Sequence, residues 1–544
     1  MKSAVSNQTW PVTYVYRNMT KQRNNMPYLP RFLRPVFAFF VTSVCAVFSL
    51  TALADDEKHL APATIFIAGD STAATYNNAD HQGWGAVFQQ YFDDKQVTVD
   101  NRAKGGRSTR TFIAEGWWDK LLNDVKPGDI VLIQFGHNDA SPVNDDSRAR
   151  GTLKSLTEEY RDIHNLLTGK DERVFSFGHY IRQMVADVRQ KKATPVLLSL
   201  TARNIWHGDR IERGSGEYGG WMHSLAMELH TPFIDVTNAA ADQLEALGKE
   251  ETAALYPKDH THFHTQGAKL HAEVVVAALK GMRPSLSPAL YSEAGNAVTA
   301  NNWTFVNLPV VQNQGLRSVF MVGDSTVRNG RGDGAGGQWG WGDFIAAALP
   351  DANVNFVNRA VGGLSSRTFV TGGHWQRALN MMKRGDIVLL QFGHNDAGAL
   401  NDDSRARGTI KGTGMEQKRI ENMLTGEPEV VHTYGWYLRK MIGEAKAQGI
   451  IPVICSPVPR KKWEDNDFRI ARARDSYPQW AEAVARAGNT PFIDLHELVA
   501  SAYDGKPHEL IDSYFGDAHT HTSKEGAEIT AAIVAERLKP MLGL

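Results

Sequence analysis

The sequence predicts an α/β protein made of two tandem three-layer α/β/α sandwiches, each built on a mainly parallel five-stranded sheet. The chain has 544 residues, which is too long for one ordinary domain. Several sequence blocks occur twice in the same order. In each half, short continuous apolar runs alternate with longer segments of helical periodicity. Such runs are typical of parallel strands that helices cover on both faces.

The internal repeat is the clearest of these features. A Gly-Asp-Ser-Thr block ends at Thr72 and again at Thr326, and a Gln-Phe-Gly-His-Asn-Asp block ends at Asp139 and again at Asp396. The spacing between copies is far longer than the unit of a solenoid. We therefore predict that a whole domain is duplicated.

Domain boundaries follow from the repeat. We predict an N-terminal extension with a signal peptide, a first repeat, a linker and a second repeat, at residues 1–54, 55–283, 284–317 and 318–544. The linker prediction depends on its prolines and on the lack of a helical period. A short strand is predicted within it at 303–308.

Five apolar runs in each repeat are predicted to be the strands of its sheet. They are 64–68, 97–101, 129–135, 195–200 and 232–236 in the first repeat, and 318–322, 354–358, 386–392, 450–455 and 491–495 in the second. Residues 177–191 have helical spacing. Right-handed crossovers would bring the carboxyl ends of the strands to one edge of the sheet, where sites form in such folds.

The N-terminus has the pattern of a secretory signal. Arg31 and Arg34 precede an apolar run at 36–53, which ends in a small-x-small pattern at Ala54. A start at Met26 would give this signal a conventional length. The alternative is a permanent membrane anchor, although the run is near the lower length limit for a spanning helix. We predict export to the periplasm or the medium, without stable membrane insertion after signal removal.

Composition limits the partners and the redox chemistry. The formal net charge is -1, so no strong field favours nucleic acid, and we predict no nucleic-acid partner.

The chain has two cysteines, and Cys45 lies in the signal, which leaves Cys455 alone in the mature chain. Cys455 follows an apolar run, and we expect it to be buried at a strand end.

Two serines are candidate nucleophiles. Ser71 and Ser325 each follow a predicted strand in a Gly-Asp-Ser turn. A serine hydroxyl needs a base to remove its proton, and a strand-to-helix turn exposes it beside backbone N–H groups. Gly-Asp-Ser alone is more often a turn or a helix cap, so the assignment depends on the other blocks.

The reaction of such a serine also needs donors for a developing oxyanion. Gly106 and Gly363 end strand-to-loop turns, where glycine permits close backbone approach. Asn138 and Asn395 follow the third strand, and their side-chain amides can donate to the same oxygen. Turn roles are the alternative for all four residues. The occurrence of all blocks in order, twice, favours catalysis.

The candidate base lies late in each repeat. In Asp259-His-Thr-His262, the carboxylate can hold the imidazole of His262 in the tautomer that accepts the Ser71 proton. The second repeat differs, because alignment on the following Gly-Ala pair matches His262 with His521 but Asp259 with Ala518. Either a loop adjustment lets Asp517 orient His521, or the second site is a weak or inactive Ser–His dyad.

These blocks resemble the SGNH/GDSL hydrolase superfamily, whose fold is flavodoxin-like. The segments around Arg110, Asp139 and His262 are most similar to rhamnogalacturonan acetylesterases. The resemblance covers both repeats. It implies that Ser71 is the nucleophile and that Asp259 and His262 complete its triad. It also implies that Gly106 and Asn138 form the oxyanion hole with the Ser71 backbone N–H, and that the substrate is an acetylated polysaccharide.

Two other features could indicate a metal or a cofactor. His260, His262 and His264 alternate, which could suggest a metal site, but alternate residues share a face without converging on a point. The glycine-rich segment 330–337 lacks the spacing of a phosphate-binding loop. We therefore expect neither a metal nor a cofactor.

Two residue pairs leave alternatives open. Trp84 and Trp341 are expected in the core, with sugar stacking as the alternative. Arg110 and Arg367 could either bind galacturonate carboxylates or form structural salt bridges.

The function predicted is a secreted carbohydrate esterase that removes acetyl groups from pectic rhamnogalacturonan through an acyl-enzyme. Other esterases of the superfamily are alternatives: an acetylxylan esterase, a lipase or a lysophospholipase. No extended apolar stretch in the mature chain indicates an acyl-chain groove, which favours a small acyl group. A carbohydrate-binding protein with a degenerate second repeat is a further alternative. The sequence leaves the oligomeric state open.

Overall fold

A computed structural model describes residues 59–213, 216–301, 304–464 and 468–544. The predicted signal peptide lies outside these residues. Residues Glu57–Leu544 form one compact unit, so the two repeats pack together. Within the described ranges, no helix is long and apolar enough to cross a membrane.

The first repeat alternates strands with helices. Its strands are β1 Thr64–Gly69, β2 Thr98–Asn101, β3 Ile130–Gln134, β4 Tyr160–Asn165, β5 Lys170–Phe175, β6 Thr194–Leu198, β7 Trp206–His207, β8 Arg210–Ile211 and β9 Phe233–Ile234. Its helices are α1 Thr109–Ala114, α2 Trp117–Asp124, α3 Phe177–Gln190, α4 Tyr218–Glu228, α5 Val236–Leu247, α6 Lys249–Leu255, α7 Thr265–Gly281 and α8 Glu293–Ala297. A 3-10 helix, Trp84–Tyr91, follows β1.

The second repeat has the same order of main elements, but its described residues contain no strands that correspond to β7 and β8 and no helix that corresponds to α8. Its strands are β10 Ser318–Gly323, β11 Asn355–Asn358, β12 Ile387–Gln391, β13 Gln417–Glu421, β14 Pro428–His432, β15 Ile451–Cys455 and β16 Phe492–Ile493. Its helices are α9 Ile345–Ala348, α10 Ser366–Thr371, α11 His374–Met381, α12 Tyr434–Ala447, α13 Tyr477–Ala487, α14 Leu495–Tyr503, α15 His508–Ser513 and α16 Lys524–Leu542.

Each repeat contains one five-stranded parallel sheet. The strand orders are β2-β1-β3-β6-β9 and β11-β10-β12-β15-β16. The registers correspond, because Ile65 lies opposite Ile130 in the first sheet and Val319 lies opposite Ile387 in the second. The predicted fold class is confirmed, with strand ends displaced by no more than about two residues, as is usual for assigned boundaries.

The central strands carry the core of each repeat. All five residues of β3 and of β12 are buried, as expected for strands covered by helices on both faces. Trp84 and Trp341 are also fully buried, and each indole N–H donates to a glutamine at the end of the central strand, Gln134 or Gln391. The core interpretation of these tryptophans is confirmed, and sugar stacking is excluded by their burial.

Three antiparallel strand pairs among the described residues were not predicted: the short pair β7–β8 in the first repeat and one longer hairpin in each repeat. Strands β4 and β5 form the longer hairpin in the first repeat, and β13 and β14 form it in the second. Arg110 and Arg367, which are 1% and 0% exposed, each donate to both oxygens of a hairpin glutamate, Glu172 or Glu429. The galacturonate role considered for these arginines is therefore wrong, because each guanidinium is buried in a structural salt bridge.

The segment between the repeats differs from the expected linker. The strand predicted at 303–308 is wrong for its described part, because Thr304–Val306 is a 3-10 helix and Asn307 has a positive φ of 45°. The Asn307 carbonyl accepts hydrogen bonds from His223 of the first repeat and from Arg328 of the second. This carbonyl therefore faces side chains instead of a neighbouring strand. Elsewhere, Cys455 is buried at the end of β15, as predicted.

Candidate active sites

Each candidate nucleophile follows the carboxyl end of an inner strand of its sheet. Strand β1 ends at Gly69 and β10 ends at Gly323, two residues before Ser71 and Ser325. A Cβ on Gly323 would lie 2.5 Å from the Gln391 carbonyl oxygen, so the close approach to the next strand requires glycine. The chain then turns, and the aspartate of the motif caps the turn by accepting from the backbone N–H and hydroxyl of Thr72 or Thr326.

The first repeat brings Ser71, His262 and Asp259 together. His262 Nε2 lies 2.9 Å from Ser71 Oγ, and His262 Nδ1 lies 2.8 Å from Asp259 Oδ2. The other carboxylate oxygen accepts from the backbone N–H groups of Thr261 and His262. With Asp259 accepting at Nδ1, the free electron pair of the neutral imidazole lies at Nε2, facing the serine hydroxyl.

The second repeat forms the same arrangement with Asp517. His521 Nε2 lies 2.9 Å from Ser325 Oγ, and His521 Nδ1 lies 2.6 Å from Asp517 Oδ2. Asp517 Oδ1 accepts from the backbone N–H groups of three residues, His519, Thr520 and His521. Of the two alternatives left open by the sequence, the structure has the adjusted loop, and Ala518 takes no part.

Both carboxylates are held in the charged form. Burial raises the pKa of Asp259 and of Asp517, but hydrogen bonds from the histidine ring and from backbone N–H groups outweigh it. The resulting pKa of each carboxyl is about 2. At neutral pH each aspartate is therefore an anion beside the Nδ1 atom of its histidine.

Backbone and side-chain donors converge beside each serine. Gly106 and Gly363 have positive φ angles of 77° and 83°, in a turn that a residue with a Cβ rarely adopts. Among the described residues, no acceptor receives the backbone N–H of Ser71, Gly106, Ser325 or Gly363. These donors are thus available to a ligand.

The two asparagines have a matching geometry. Asn138 Nδ2 donates to the Arg107 carbonyl and Asn395 Nδ2 donates to the Leu364 carbonyl, each over 2.9 Å. These bonds fix the plane of each amide and use one of its two hydrogens. The second hydrogen of each amide remains for an oxyanion.

Two arginines that sequence reasoning missed hold the glycine turns. Arg150 Nη1 donates to the Gly106 carbonyl over 3.0 Å, and Arg407 Nη1 donates to the Gly363 carbonyl over 2.7 Å. Both belong to the duplicated Asp-Asp-Ser-Arg-Ala-Arg-Gly-Thr block. The duplication of that block was the signal that could have identified them.

The aspartate of the Gly-His-Asn-Asp block has a structural position. Asp139 accepts from the backbone N–H and hydroxyl of Thr109, and Asp396 accepts from those of Ser366. These contacts anchor the first turns of α1 and α10, directly after the glycine turns. Burial raises the pKa of Asp139 to about 7 and that of Asp396 to about 6, although hydrogen bonds oppose it.

The histidine of the same block differs between repeats. His137 Nδ1 accepts from Arg203, because arginine can only donate, and burial and Arg203 together hold the pKa of His137 far below its usual value. In the second repeat, His394 lies between two acceptors, Asp324 Oδ2 at 3.2 Å and the Val458 carbonyl at 2.9 Å. Each ring nitrogen of His394 therefore faces an acceptor, whereas His137 Nδ1 faces a donor.

The rims of the sites also differ. In the first repeat, the His81 ring lies 4.6 Å from the His262 ring and 4.3 Å from the Tyr76 ring. The matching segment of the second repeat is the glycine-rich loop, in which Gly330, Gly332, Gly334, Gly336 and Gly337 have positive φ. This loop lacks the Gly-Lys-Ser/Thr sequence of a phosphate-binding loop.

The alternating histidines do not converge. His260 Nδ1 contacts the Thr261 hydroxyl, whereas His264 caps the start of α7 by accepting from Gln266 and Gly267. The described residues contain no group of three or more side chains placed to hold a metal ion.

The fold and these sites define a class of protein. A parallel α/β/α sandwich that carries Ser, His and Asp in hydrogen-bonded order beside unpaired N–H donors is typical of a serine hydrolase. The sequence profile of the GDSL-like Lipase/Acylhydrolase family matches residues 67–270 and 321–529. The chain belongs to this family, in two tandem copies, and is a carboxylic-ester hydrolase.

The chain is similar to known acetylesterases. It is 34% identical over 251 residues to the rhamnogalacturonan acetylesterase RhgT of Bacillus subtilis, covering 43% of this chain and 97% of that protein. It is 29% identical to a rhamnogalacturonan acetylesterase of Emericella nidulans, covering 40% of this chain and 82% of that protein. The solved structure of YxiM from Bacillus subtilis is 27% identical with a TM-score of 0.34, over 40% of this chain and 56% of that one.

Proposed function

We propose that the protein is an exported rhamnogalacturonan acetylesterase with two active sites, each of which works through an acetyl-serine intermediate. The observation that carries this proposal is the pair of equivalent contacts, 2.9 Å from His262 Nε2 to Ser71 Oγ and 2.9 Å from His521 Nε2 to Ser325 Oγ. Each histidine lies within the range at which a general base acts.

The first half of the reaction transfers the acetyl group to the enzyme. Ser71 Oγ attacks the acetyl carbonyl carbon while His262 Nε2 takes the hydroxyl proton. The C–O bond to the sugar then breaks, and His262 returns the proton to the leaving alkoxide. Asp259 remains an anion throughout and stabilises the imidazolium, as its pKa of about 2 allows.

The second half regenerates the serine. A water molecule gives a proton to His262 Nε2 and attacks the carbonyl carbon of the acetyl-serine. Acetate leaves, and the proton passes back to Ser71 Oγ. In both halves the negative oxygen of the tetrahedral intermediate would accept from the Ser71 and Gly106 N–H groups and from Asn138 Nδ2.

The same roles are proposed for the second repeat, with Ser325, His521, Asp517, Gly363 and Asn395. The contacts of Asp517 support full activity there, because an orienting carboxylate separates a triad from a weak dyad. A degenerate second repeat that only binds carbohydrate has no support from this geometry.

The substrate proposal depends on likeness. Relatives at 28% to 34% identity are named as rhamnogalacturonan acetylesterases, and the matches to them cover up to 98% of their length. Acetylated rhamnogalacturonan is therefore the preferred substrate proposed here, and acetylated xylan is the second candidate. Export is proposed from the signal-like pattern before Ala54 alone.

The test compares Ser71→Ala, Ser325→Ala and the double variant on acetylated rhamnogalacturonan, acetylated xylan and a long-chain ester. We expect each single variant to keep the activity of its other site and the double variant to lose acetate release by at least about 10⁴-fold. Full activity in the double variant would refute the proposed nucleophiles. Best turnover on the long-chain ester would refute the acetylesterase assignment.

A further inference from the structure

A cleft adjoins the Gly-His-Asn-Asp block in each repeat. The first cleft, of about 260 Å³, is lined by residues that include His137, Lys154, Arg203 and Glu217. The second cleft, of about 380 Å³, is lined by residues that include His394, Arg460, Lys462 and Ser476. His137 and His394 directly precede Asn138 and Asn395, so each cleft adjoins the segment that carries the asparagine of its own site.

The walls of the two clefts can be compared residue by residue, because their backbone hydrogen bonds correspond. The Asn204 N–H donates to the His260 carbonyl, as the Lys461 N–H donates to the His519 carbonyl. These bonds tie each wall to the loop that carries the catalytic histidine. The equivalence makes Arg203 the counterpart of Arg460.

Further bonds extend the correspondence. The Glu212 N–H donates to the Ile205 carbonyl, and the Ala471 N–H donates to the Lys462 carbonyl, each over 2.7 Å. Glu217 and Ser476 each precede the first residue of a corresponding helix, α4 or α13.

Four exchanges at these positions change the charge of the wall. Lys461 replaces Asn204, but Asp512 pairs with that lysine, and the other three line the second cleft. Lys462 replaces Ile205, Ala471 replaces Glu212, and Ser476 replaces Glu217. Each of these three exchanges makes the second cleft more positive by one unit. Among the described residues that line the second cleft, the arginines and lysines are Arg460, Lys462 and Arg472, and there is no aspartate or glutamate.

Two of these cations are available to a ligand. Arg472 is neutralised by Glu497 and Asp504, and His394 is paired with Asp324. Arg460 and Lys462 have no ion-pair partner among the described residues, and neither is buried. In the first cleft, Arg203 instead donates to His137, and Arg203 and Lys154 share the wall with the carboxylate of Glu217, which the second cleft lacks.

We propose that the two sites divide their substrates by charge, with Arg460 and Lys462 of the second cleft binding a sugar carboxylate next to the acetylated residue. The second site then selects uronate-containing oligosaccharides, whereas the first site is indifferent to that carboxylate. This inference rests on the proposed function. A guanidinium suits a carboxylate because its donors match both oxygens, and the lysine adds a second positive charge.

The experiment isolates each site and changes only the substrate charge. Ser71→Ala leaves the second site, and Ser325→Ala leaves the first. Each variant is assayed for acetate release on acetylated rhamnogalacturonan oligosaccharides and on the same material with its carboxylates reduced to alcohols. We expect the second site to prefer the acidic form by about tenfold in kcat/KM and the first site to show a ratio near one. Equal ratios at the two sites would overturn the proposal.

Exchanging the wall residues tests the assignment to particular side chains. In the Ser71→Ala background, Lys462→Ile combined with Ser476→Glu should reduce the preference for the acidic form toward that of the first site. Raised salt should reduce it as well. Lys418→Ile, on the exposed hairpin strand β13, is the matched control and should leave the ratio unchanged. An undiminished preference in the wall variant would contradict the role of these residues.

Binding separates this inference from the proposed chemistry. If neither site released acetate from either substrate, the proposed function would fail. Calorimetry with the acidic oligosaccharide and the Ser71→Ala/Ser325→Ala double variant decides the charge proposal independently. We expect Arg460→Gln to weaken that binding by about tenfold, and the Arg203→Gln change in the first cleft to leave it within about twofold. Equal effects of the two changes would contradict the proposal.

Discussion

The loops that carry His262 and His521 differ by one residue and nevertheless make the same contacts. In the first repeat the carboxylate lies three residues before the histidine, and in the second it lies four residues before it. Asp259 Oδ1 accepts two backbone N–H groups, whereas Asp517 Oδ1 accepts three. The loop with the additional residue thus makes one more backbone hydrogen bond to the same carboxylate oxygen. Turn geometry, and not spacing along the chain, sets the position of an orienting carboxylate.

The repeats differ more at the aspartates that precede the two serines, Asp70 and Asp324, than in the contacts between serine, histidine and aspartate. Burial raises the pKa of Asp70, whose Oδ2 has no hydrogen-bond partner among the described residues. Burial also raises the pKa of Asp324, but His394 and the hydrogen bonds from Thr326 together outweigh it, so the pKa of that carboxyl is lowered. The two repeats therefore share the Ser–His–Asp contacts and differ in the electrostatic environment of the neighbouring aspartate.

The largest effect is expected at Asp517. In the Ser71→Ala background, Asp517→Asn should lower kcat at the second site by about 10⁴-fold, because the amide favours the wrong tautomer of His521. Asp259→Asn in the Ser325→Ala background should cost the first site a similar factor. Acetate release under saturating substrate gives both values.

The matched control for this prediction is Asp351→Asn, which changes an exposed aspartate away from the site and should leave kcat unchanged. A loss of less than about tenfold from Asp517→Asn, beside a large loss from Asp259→Asn, would identify the second site as a dyad.

A smaller effect on stability is expected from the buried arginines. Arg110→Met or Arg367→Met leaves Glu172 or Glu429 without its partner and should lower the free energy of unfolding by about 3 kcal/mol. Because the contacts match in the two repeats, the two losses should be similar. Urea titration measures them, with Arg486→Met, which breaks an exposed pair with Glu482, as the control expected to cost less than about 1 kcal/mol. Clearly unequal losses would show that the hairpins are not equivalent.

The smallest effect concerns pH. Asp139 and Asp396 bind a proton more tightly in the folded protein, with pKa values of about 7 and about 6. Their contribution to stability is therefore fully present below pH 4 and is lost as the pH rises through these values. Asp139→Asn should remove the part of this pH dependence that extends from pH 4 to about pH 7. Asp396→Asn should remove the part that ends at about pH 6. Urea titrations between pH 4 and 7 compare the two variants, and parallel curves for both variants and the wild type would contradict the assignment.

The fold could be predicted because its determinants are local and repeated. The continuous apolar runs of β3 and β12 identify buried parallel strands, and the duplication gave each assignment a second test. The hairpins were missed because their strands are largely exposed and carry no apolar run. Tertiary contacts hold them, among them the salt bridges to Arg110 and Arg367 and the hydrogen bonds of Asn144 and Asn401. The predicted strand at 303–308 failed because side chains of both repeats bind the backbone there.

The candidate site was predictable in its residue types but not in its contacts. The blocks around Ser71, Gly106 and Asn138 follow strands of one sheet, so topology alone brings them together. Asp517 could not be assigned by alignment because the turn that positions it depends on backbone hydrogen bonds. The duplicated block singles out Arg150, but the bond that Arg150 makes to Gly106 and the contacts of the cleft walls are tertiary, and no spacing in the sequence encodes them.

The central claim is that both repeats carry a complete serine site, and the number of activated serines in one chain tests it most directly. A fluorophosphonate reacts with a serine only where a base and an oxyanion hole activate it. Mass spectrometry of the labelled protein, followed by peptide mapping, should find two adducts per chain, on Ser71 and on Ser325. A single adduct confined to Ser71 at saturating reagent would contradict the account and leave the second repeat as a fold without its chemistry.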